Sequence, residues 1–448
     1  MNNEVEDLKK VHEPFQLYKA RWVVLFLSAA ASAISNMQWM QYGIIADVLV
    51  FYYGLSYSSV NWSSMIFLLV YFILVFPMSY ILDKYGLRTS MLIGVVLTAV
   101  GAWIKVGSIA PDRYWVLLLG QFIVAVGVVP LMGLIPKVAA TWFGPKEVST
   151  ACGIGLAGLQ LGFAVGFAVP PEMITSENDM ASIKNDFTTI SIGVGIISTI
   201  LMMAVLLWFP DRPKTPPSQA ALQSQDQEID LWHPVKKLMT NRTFVLVLFA
   251  FAISLGIFCT ISTVLNQLVL TYYPDGLKDA GRIGLLMIIA GFIGSLAGGL
   301  LLDRFKAYKG TLVTLLAAFC ATLICLTCII NIHIELVYVS VSLAGFLMGS
   351  IWSVSYEIVV EATYPEPEGI SVGLLNGLGQ AFGIGFTELY SALFFKNDAL
   401  GSNIALALLA FLSIILAACV RMEFRREAAN FKKNNDNLGF DETVCSKL

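Results

Sequence analysis

Amides and an indole stand in this chain where hydrocarbon is expected. Long apolar stretches contain Asn36, Gln38, Trp39, Gln41 and Tyr42, then Gln160, Asn266 and Gln267, and finally Asn376 and Gln380. Polar groups within such runs are costly in a bilayer and face a protein interior or a cavity. Amide oxygens accept from a hydroxyl or an ammonium group, and a tryptophan face attracts organic cations, quaternary ammonium above all. The set therefore suits recognition of a small organic cation. Packing by Trp39 and helix-to-helix bonding by the glutamines would account for the same residues without a ligand.

Other chemistries find little to work with. The histidines, His12, His233 and His333, lie outside the apolar runs, so no histidine proton relay or haem ligand is expected inside them. Six cysteines are in apolar stretches and Cys445 is in the polar tail, so no disulfide framework is expected. The pair Cys325 and Cys328 lacks the further ligands a zinc site needs. Asp47 and Glu361 are read as helix-end carboxylates; Glu357 and Glu388 either bias a cavity towards cations or carry protons. With no catalytic constellation the chain is not read as an enzyme, and no cofactor or metal is expected. A net charge of −3 without a basic stripe argues against nucleic-acid binding.

The elements that must position these groups follow from composition. Of 448 residues, 57% are hydrophobic and only 13% charged, about half the charge of soluble domains. Runs of about 20 apolar residues span a bilayer, and twelve are found: 22–52, 58–82, 88–108, 112–136, 149–170, 187–209, 244–270, 280–302, 310–330, 335–360, 370–396 and 400–420. With both termini cytoplasmic, 22 of the 28 basic residues fall on the inner side, as the positive-inside rule requires. Lys105, Arg113, Lys184, Lys278, Arg282 and Lys396 are assigned to the outer side. The segments are thus a cytoplasmic N-terminus (1–21), a first bundle (22–209), a linker rich in Pro, Ser and Gln (210–243), a second bundle (244–420) and a cytoplasmic tail (421–448). The sequon at Asn61 lies at the membrane edge and is expected to be unused, as is the peroxisomal-type ending Ser446-Lys447-Leu448.

The two halves repeat. Asp83 and Asp303 follow the second and eighth spans and are 220 residues apart, as are Gly153 and Gly373, and Gln160 and Gln380. Two matches in one register indicate a duplicated six-helix unit, an arrangement in which transporters place the substrate near the midplane where the halves meet. The register pairs Trp39 with Cys259 and Gln160 with Gln380, so these four are the candidate substrate contacts. Gln41, Tyr42, Phe258, Asn266 and Tyr356 are further pocket candidates. The loop Asp83-Lys84-Tyr85-Gly86-Leu87-Arg88, echoed at Asp303-Arg304, reads as a conformational latch of acid against base around a glycine turn. It resembles the loop signature of the major facilitator superfamily, whose architecture is two six-helix bundles. The fold expected is therefore an all-α membrane protein of twelve transmembrane helices in two pseudo-symmetric bundles.

The stretches QWMQYGIIADV (38–48), ILDKYGLR (81–88), GAWIKVGS (101–108), WFGPKEVSTACG (142–153), STVLNQLVLTYY (262–273), DAGRIGL (279–285) and EATYPEPEGISVGLLN (361–376) are similar to the feline leukemia virus subgroup C receptor-related family. That resemblance implies facilitated transport of choline or ethanolamine, with Trp39, Gln160 and Gln380 as ligand contacts. It also implies a tyrosine where this chain has Cys259, so one aromatic wall is missing. A fourth span without arginine and a fifth reading GFAVGFAVPP favour uncoupled movement over antiport. The expected function is uniport of choline or an ethanolamine-like cation by a monomer in the plasma membrane. Export of haem or another amphipathic molecule, and a non-transporting receptor or sensor, are the alternatives.

Overall fold

A backbone surrounded by hydrocarbon must satisfy its polar groups internally, and these apolar runs do so as helices. The computed structural model describes residues 17–144, 146–176, 179–213, 215, 232–305, 307–422 and 425–426. The first span is α1 (Ala20–Met40), a 3₁₀ turn (Gly43–Ile45) and α2 (Ala46–Tyr53). Then come α3 (Tyr57–Val106), α4 (Tyr114–Trp142), α5 (Val148–Met173) and α6 (Met180–Trp208). The short α7 (Trp232–Thr240) follows the linker, and α8 (Arg242–Tyr272), α9 (Leu277–Phe305), α10 (Tyr308–Ile329), α11 (Ile334–Thr363) and α12 (Glu368–Ala418) complete the chain.

Eleven apolar helical segments of membrane-spanning length result, with α12 supplying two of them. The 50-residue α3 contains the twelfth, because Gly86 interrupts it with φ 84° and ψ −177°. That region of backbone space is open essentially to glycine alone, so the turn expected between the second and third spans is a break within one continuous helical run. Among the described residues this makes twelve spans in an all-α chain, as the apolar runs led one to expect.

By its internal packing the chain divides into two compact units, residues 1–229 with 263–285 and residues 230–262 with 286–448. In the first, α1 lies along α5, and α3 packs on α4 and α6. In the second, α10 packs on α11 and α12. The last third of α8 and the start of α9, residues 263–285, group with the first unit. Hydrogen bonds from Asn266 and the close seating of Gly281 and Gly284 against Phe167 and Pro171 hold them there.

Three local readings of the sequence change. The sixth span begins at Met180, seven residues before its apolar run, because the Asp179 carboxylate accepts from the Ala181 and Ser182 N–H groups and caps the helix. The first span is not one helix. Lys105, assigned to an outer segment, is 1% exposed in the last turn of α3, where amide oxygens replace water around its ammonium. Residues 1–16, residues 214 and 216–231 of the linker, and the tail beyond Arg426 lie outside the described residues, as do Cys445 and the Ser446–Leu448 ending.

Candidate functional site

The interruption of the first span creates the most chemically distinctive region of the first unit. Helix α1 stops at Met40, Gln41 and Tyr42 turn, and α2 starts at Ala46. Gly43 lets the chain pass close to the second span, since a Cβ there would lie 2.7 Å from Ser64 Oγ. Trp39 ends α1 buried, its indole stacked nearly parallel on Phe67 with centroids 5.2 Å apart and an 8° interplanar angle. Phe163 meets the same indole edge-on at 5.5 Å. Two rings therefore fix Trp39, and an aromatic pair contributes about 0.5–1.5 kcal/mol beyond its burial.

Helix α5 reaches Trp39 because glycine lines its contact with α1. A Cβ at Gly158 would lie 2.7 Å from Ala29 Cβ, one at Gly162 2.2 Å from the Ala33 carbonyl oxygen, and one at Gly166 2.8 Å from the Met37 carbonyl oxygen. Small residues at four-residue spacing let backbones touch. Gln160, half-buried, lies within this stretch, and Phe163 follows it by three residues. The fold thus brings the neighbourhoods of Trp39 and Gln160 together through Phe163.

Gln41 and Tyr42 are buried and line a cleft with Tyr53, Ser108, Phe187 and Ser191. Gln41 Oε1 has no hydrogen-bond partner among the described residues. The cleft lies beside the break, and Trp39 does not line it. Asn266, from α8, is the third predicted pocket residue tied to the break. Its Nδ2 donates to the Ile44 carbonyl at 2.8 Å and to Asp47 Oδ1 at 2.9 Å, while its Oδ1 accepts from the Asp47 N–H at 3.1 Å. Asp47 is a helix-start carboxylate, as read, but the helix is α2, created by the break, and the partner is an amide rather than bulk water. Asn266 is consumed in holding this joint.

The other register residues belong to the second unit. Cys259 and Gln380 meet, with Sγ 3.7 Å from Gln380 Oε1. Helices α8 and α12 approach closely here, where a Cβ on Gly379 would lie 2.5 Å from Leu255 Cδ2 and one on Gly256 2.9 Å from Phe382 Cβ. Phe258 is half-buried. Tyr356 accepts a hydrogen bond from Asn376 Nδ2 and packs its ring near Phe251 at 5.9 Å and Trp352 at 6.2 Å. Glu357 is exposed and Glu388 half-buried.

The loop around Gly86 is wired differently from the acid-against-base pattern read in sequence. Asp83 pairs with Lys137 at the end of α4. Arg88 donates from its guanidinium to the Leu206 carbonyl at 3.3 Å and from its backbone N–H to Asp211 Oδ1 at 2.9 Å. Asp211 occupies the space a side chain on Gly86 would need, 2.7 Å from the position of its Cβ. The Asp303 side chain lies outside the described residues.

What the sequence reading missed is a buried polar network behind Trp39. Lys105 Nζ donates to Gln38 Oε1 at 2.7 Å and Gln121 Oε1 at 3.1 Å. Gln121 stood in the fourth run as an unnoticed amide, and its spacing from Lys105 carried no signal. Among the described residues no three His, Cys, Asp or Glu side chains gather to hold a metal ion.

Comparison with known proteins matches these features to a family. The model of the Major Facilitator Superfamily matches residues 22–387. The chain is 36% identical to the zebrafish (Danio rerio) choline/ethanolamine transporter flvcr2a, over 93% of this chain and 89% of that protein. It is 35% identical to human (Homo sapiens) choline/ethanolamine transporter FLVCR2, over 98% and 83% respectively. With the cat (Felis catus) choline/ethanolamine transporter FLVCR1 it shares 37% identity over 93% of this chain and 76% of that one. Among solved structures, a bacterial homologue of the human lysosomal transporter Spinster aligns with a TM-score of 0.70 at 12% identity, covering 90% of this chain and 98% of the other. The E. coli fucose:proton symporter aligns at 0.60 and 14% identity, covering 89% and 100%.

Proposed function

Because the chain belongs to the major facilitator superfamily, in its feline leukemia virus subgroup C receptor-related branch, we propose that it moves choline or an ethanolamine-like cation across the membrane by uncoupled alternating access. That it is a membrane transporter and not an enzyme follows from the family itself. The solute class rests on the relatives' substrates together with one observation, the buried Trp39 ring at the break of the first span. A ring held in one orientation by Phe67 and Phe163 is preorganised for a cation that reaches it as the transport cycle opens the site, which supports this reading.

In this reading Trp39 receives the ammonium and Gln160 accepts from the solute's hydroxyl or ammonium N–H. Gln380 supplies a second amide, and Cys259 stands where the relatives' tyrosine would give a further ring. The basic-residue bias supports cytoplasmic termini, and we place the protein in the plasma membrane as a monomer.

Uptake of labelled choline in cells expressing the chain tests the proposal. Saturable uptake that falls at least about tenfold in Trp39→Ala, and less in Trp39→Phe, is the expected result, since a desolvated cation–π contact contributes roughly 2 kcal/mol. Uptake that is absent, or indifferent to Trp39, would sink it. Haem release from the same cells without choline uptake would replace it with the haem alternative.

A further inference from the structure

Lys105 is one of the largest fully buried side chains of the chain. Its stem fits because residue 120 is glycine, where a Cβ would lie 2.4 Å from Lys105 Cγ. Three directions around its ammonium are occupied: Gln38 Oε1 at 2.7 Å, Gln121 Oε1 at 3.1 Å, and the Tyr42 ring with its centroid at 5.3 Å. The Tyr42 face turned to Lys105 is thereby withdrawn from any cationic solute.

Lysine only donates. Both amide oxygens must face it, so both NH₂ groups must face away. Gln121 Nε2 consequently donates to the carbonyls of Gln38 and Ser63, each at 3.1 Å. Gln38 Nε2 reaches Ser198 Oγ at 3.4 Å. The Gln38 carbonyl lies in the last turn of α1, where the ladder has run out and carbonyls lose their intrahelical partners. Lipid offers no replacement, so the amide that Lys105 orients supplies one. The ammonium also sits near the C-terminal ends of both α1 and α3, where the helix dipoles favour a cation.

We propose that Lys105 is a positioning residue for the first-span half of the site. This buried, donor-only cation sets the polarity of the Gln38 and Gln121 amides, ties off the carbonyl freed at Gln38, and so fixes the turn that carries Trp39 and Gln41. The proposal rests on the reading of Trp39 as a solute contact, and its primary test needs no solute.

Hydrogen–deuterium exchange of the purified full-length protein reads the turn directly. Lys105→Met keeps the volume and removes the donors; Lys105→Arg keeps a donor-only cation. In K105M, exchange across residues 38–46 should rise roughly tenfold or more, the scale of one lost hydrogen bond to a charged group. Exchange in α10, which touches none of this network, should stay unchanged, and K105R should return most of the protection. A side chain that merely fills space would leave K105M protected. Should K105M fail to fold, Gly120→Ala, which displaces the lysine stem without removing its charge, should loosen the same residues. Wild-type protection of residues 38–46 in whichever variant folds overturns the proposal. In cells, K105M should raise the KM for choline about tenfold more than it lowers the maximal rate, by the same loss. Lack of choline transport by the wild type would remove the substrate reading and leave the exchange result to decide this one.

Discussion

Replacing Cys259 by tyrosine asks whether the second unit's contribution to solute binding is limited by one missing ring. The thiol at this position lies 3.7 Å from Gln380 Oε1 and is half-buried. A phenol in its place adds a π face worth about 0.5–2 kcal/mol to a bound quaternary ammonium. At about 1.4 kcal/mol per factor of ten, that is a gain of roughly two- to thirty-fold in affinity. The opposing effect is the Gln380 oxygen, which the phenol hydroxyl can claim at a cost of about 0.5–1.5 kcal/mol. The existing thiol already engages that oxygen, so the substitution takes little from the solute and the gain should prevail. Competition of unlabelled choline against labelled choline in transfected cells, normalised to surface protein, measures the change. Ethanolamine is the internal contrast, because a primary ammonium retains water and gains less from a ring. An affinity for choline that is unchanged or weaker in C259Y, with ethanolamine transport intact, would refute the reasoning and remove Cys259 from the site.

Two further substitutions test the frame that holds the site. Gly162→Ala places a methyl 2.2 Å from the Ala33 carbonyl oxygen; it should destabilise the protein by at least the roughly 1–3 kcal/mol typical of overpacking. A wild-type thermal midpoint in detergent would contradict that. Gly86→Ala meets both a glycine-only backbone region and the Asp211 carboxylate at 2.7 Å, and should cost about 1–3 kcal/mol, read as earlier unfolding in the same assay. If instead the variant is as stable as wild type, the Gly86 turn is not held by Asp211.

Much of the fold was legible because hydrophobicity and repetition act over long windows. Twelve runs, a polar midpoint and the Asp83–Asp303 register depend on segments, not on single contacts. Trp39 and Gln160 stand out as candidates for a related reason, since a polar or indole group inside an apolar run announces its own cost. The break after Met40 was not, because hydropathy registers side chains and is blind to where a backbone ladder ends. Lys105 misled for the opposite reason: a lysine one residue from a helix end ordinarily snorkels to water, and only the distant amides of Gln38 and Gln121 keep it inside. The same holds for Asp83, whose partner Lys137 lies 54 residues away in another helix; adjacency in sequence suggested Arg88.

The glycine contact between α1 and α5 has a consequence for solute choice. Two helices touching backbone to backbone have little room to shift, so under the proposed reading of Trp39 and Gln160 as solute contacts the interval between them acts as a gauge of nearly set length rather than an adjustable grip. A gauge tolerates changes in the bulk of a cationic head more readily than changes in the reach between head and hydroxyl. Lengthening the carbon chain of an amino alcohol should therefore penalise it more than adding or removing methyl groups on nitrogen. Choline and ethanolamine, equal in reach and different in bulk, are the pair such a gauge would accept together.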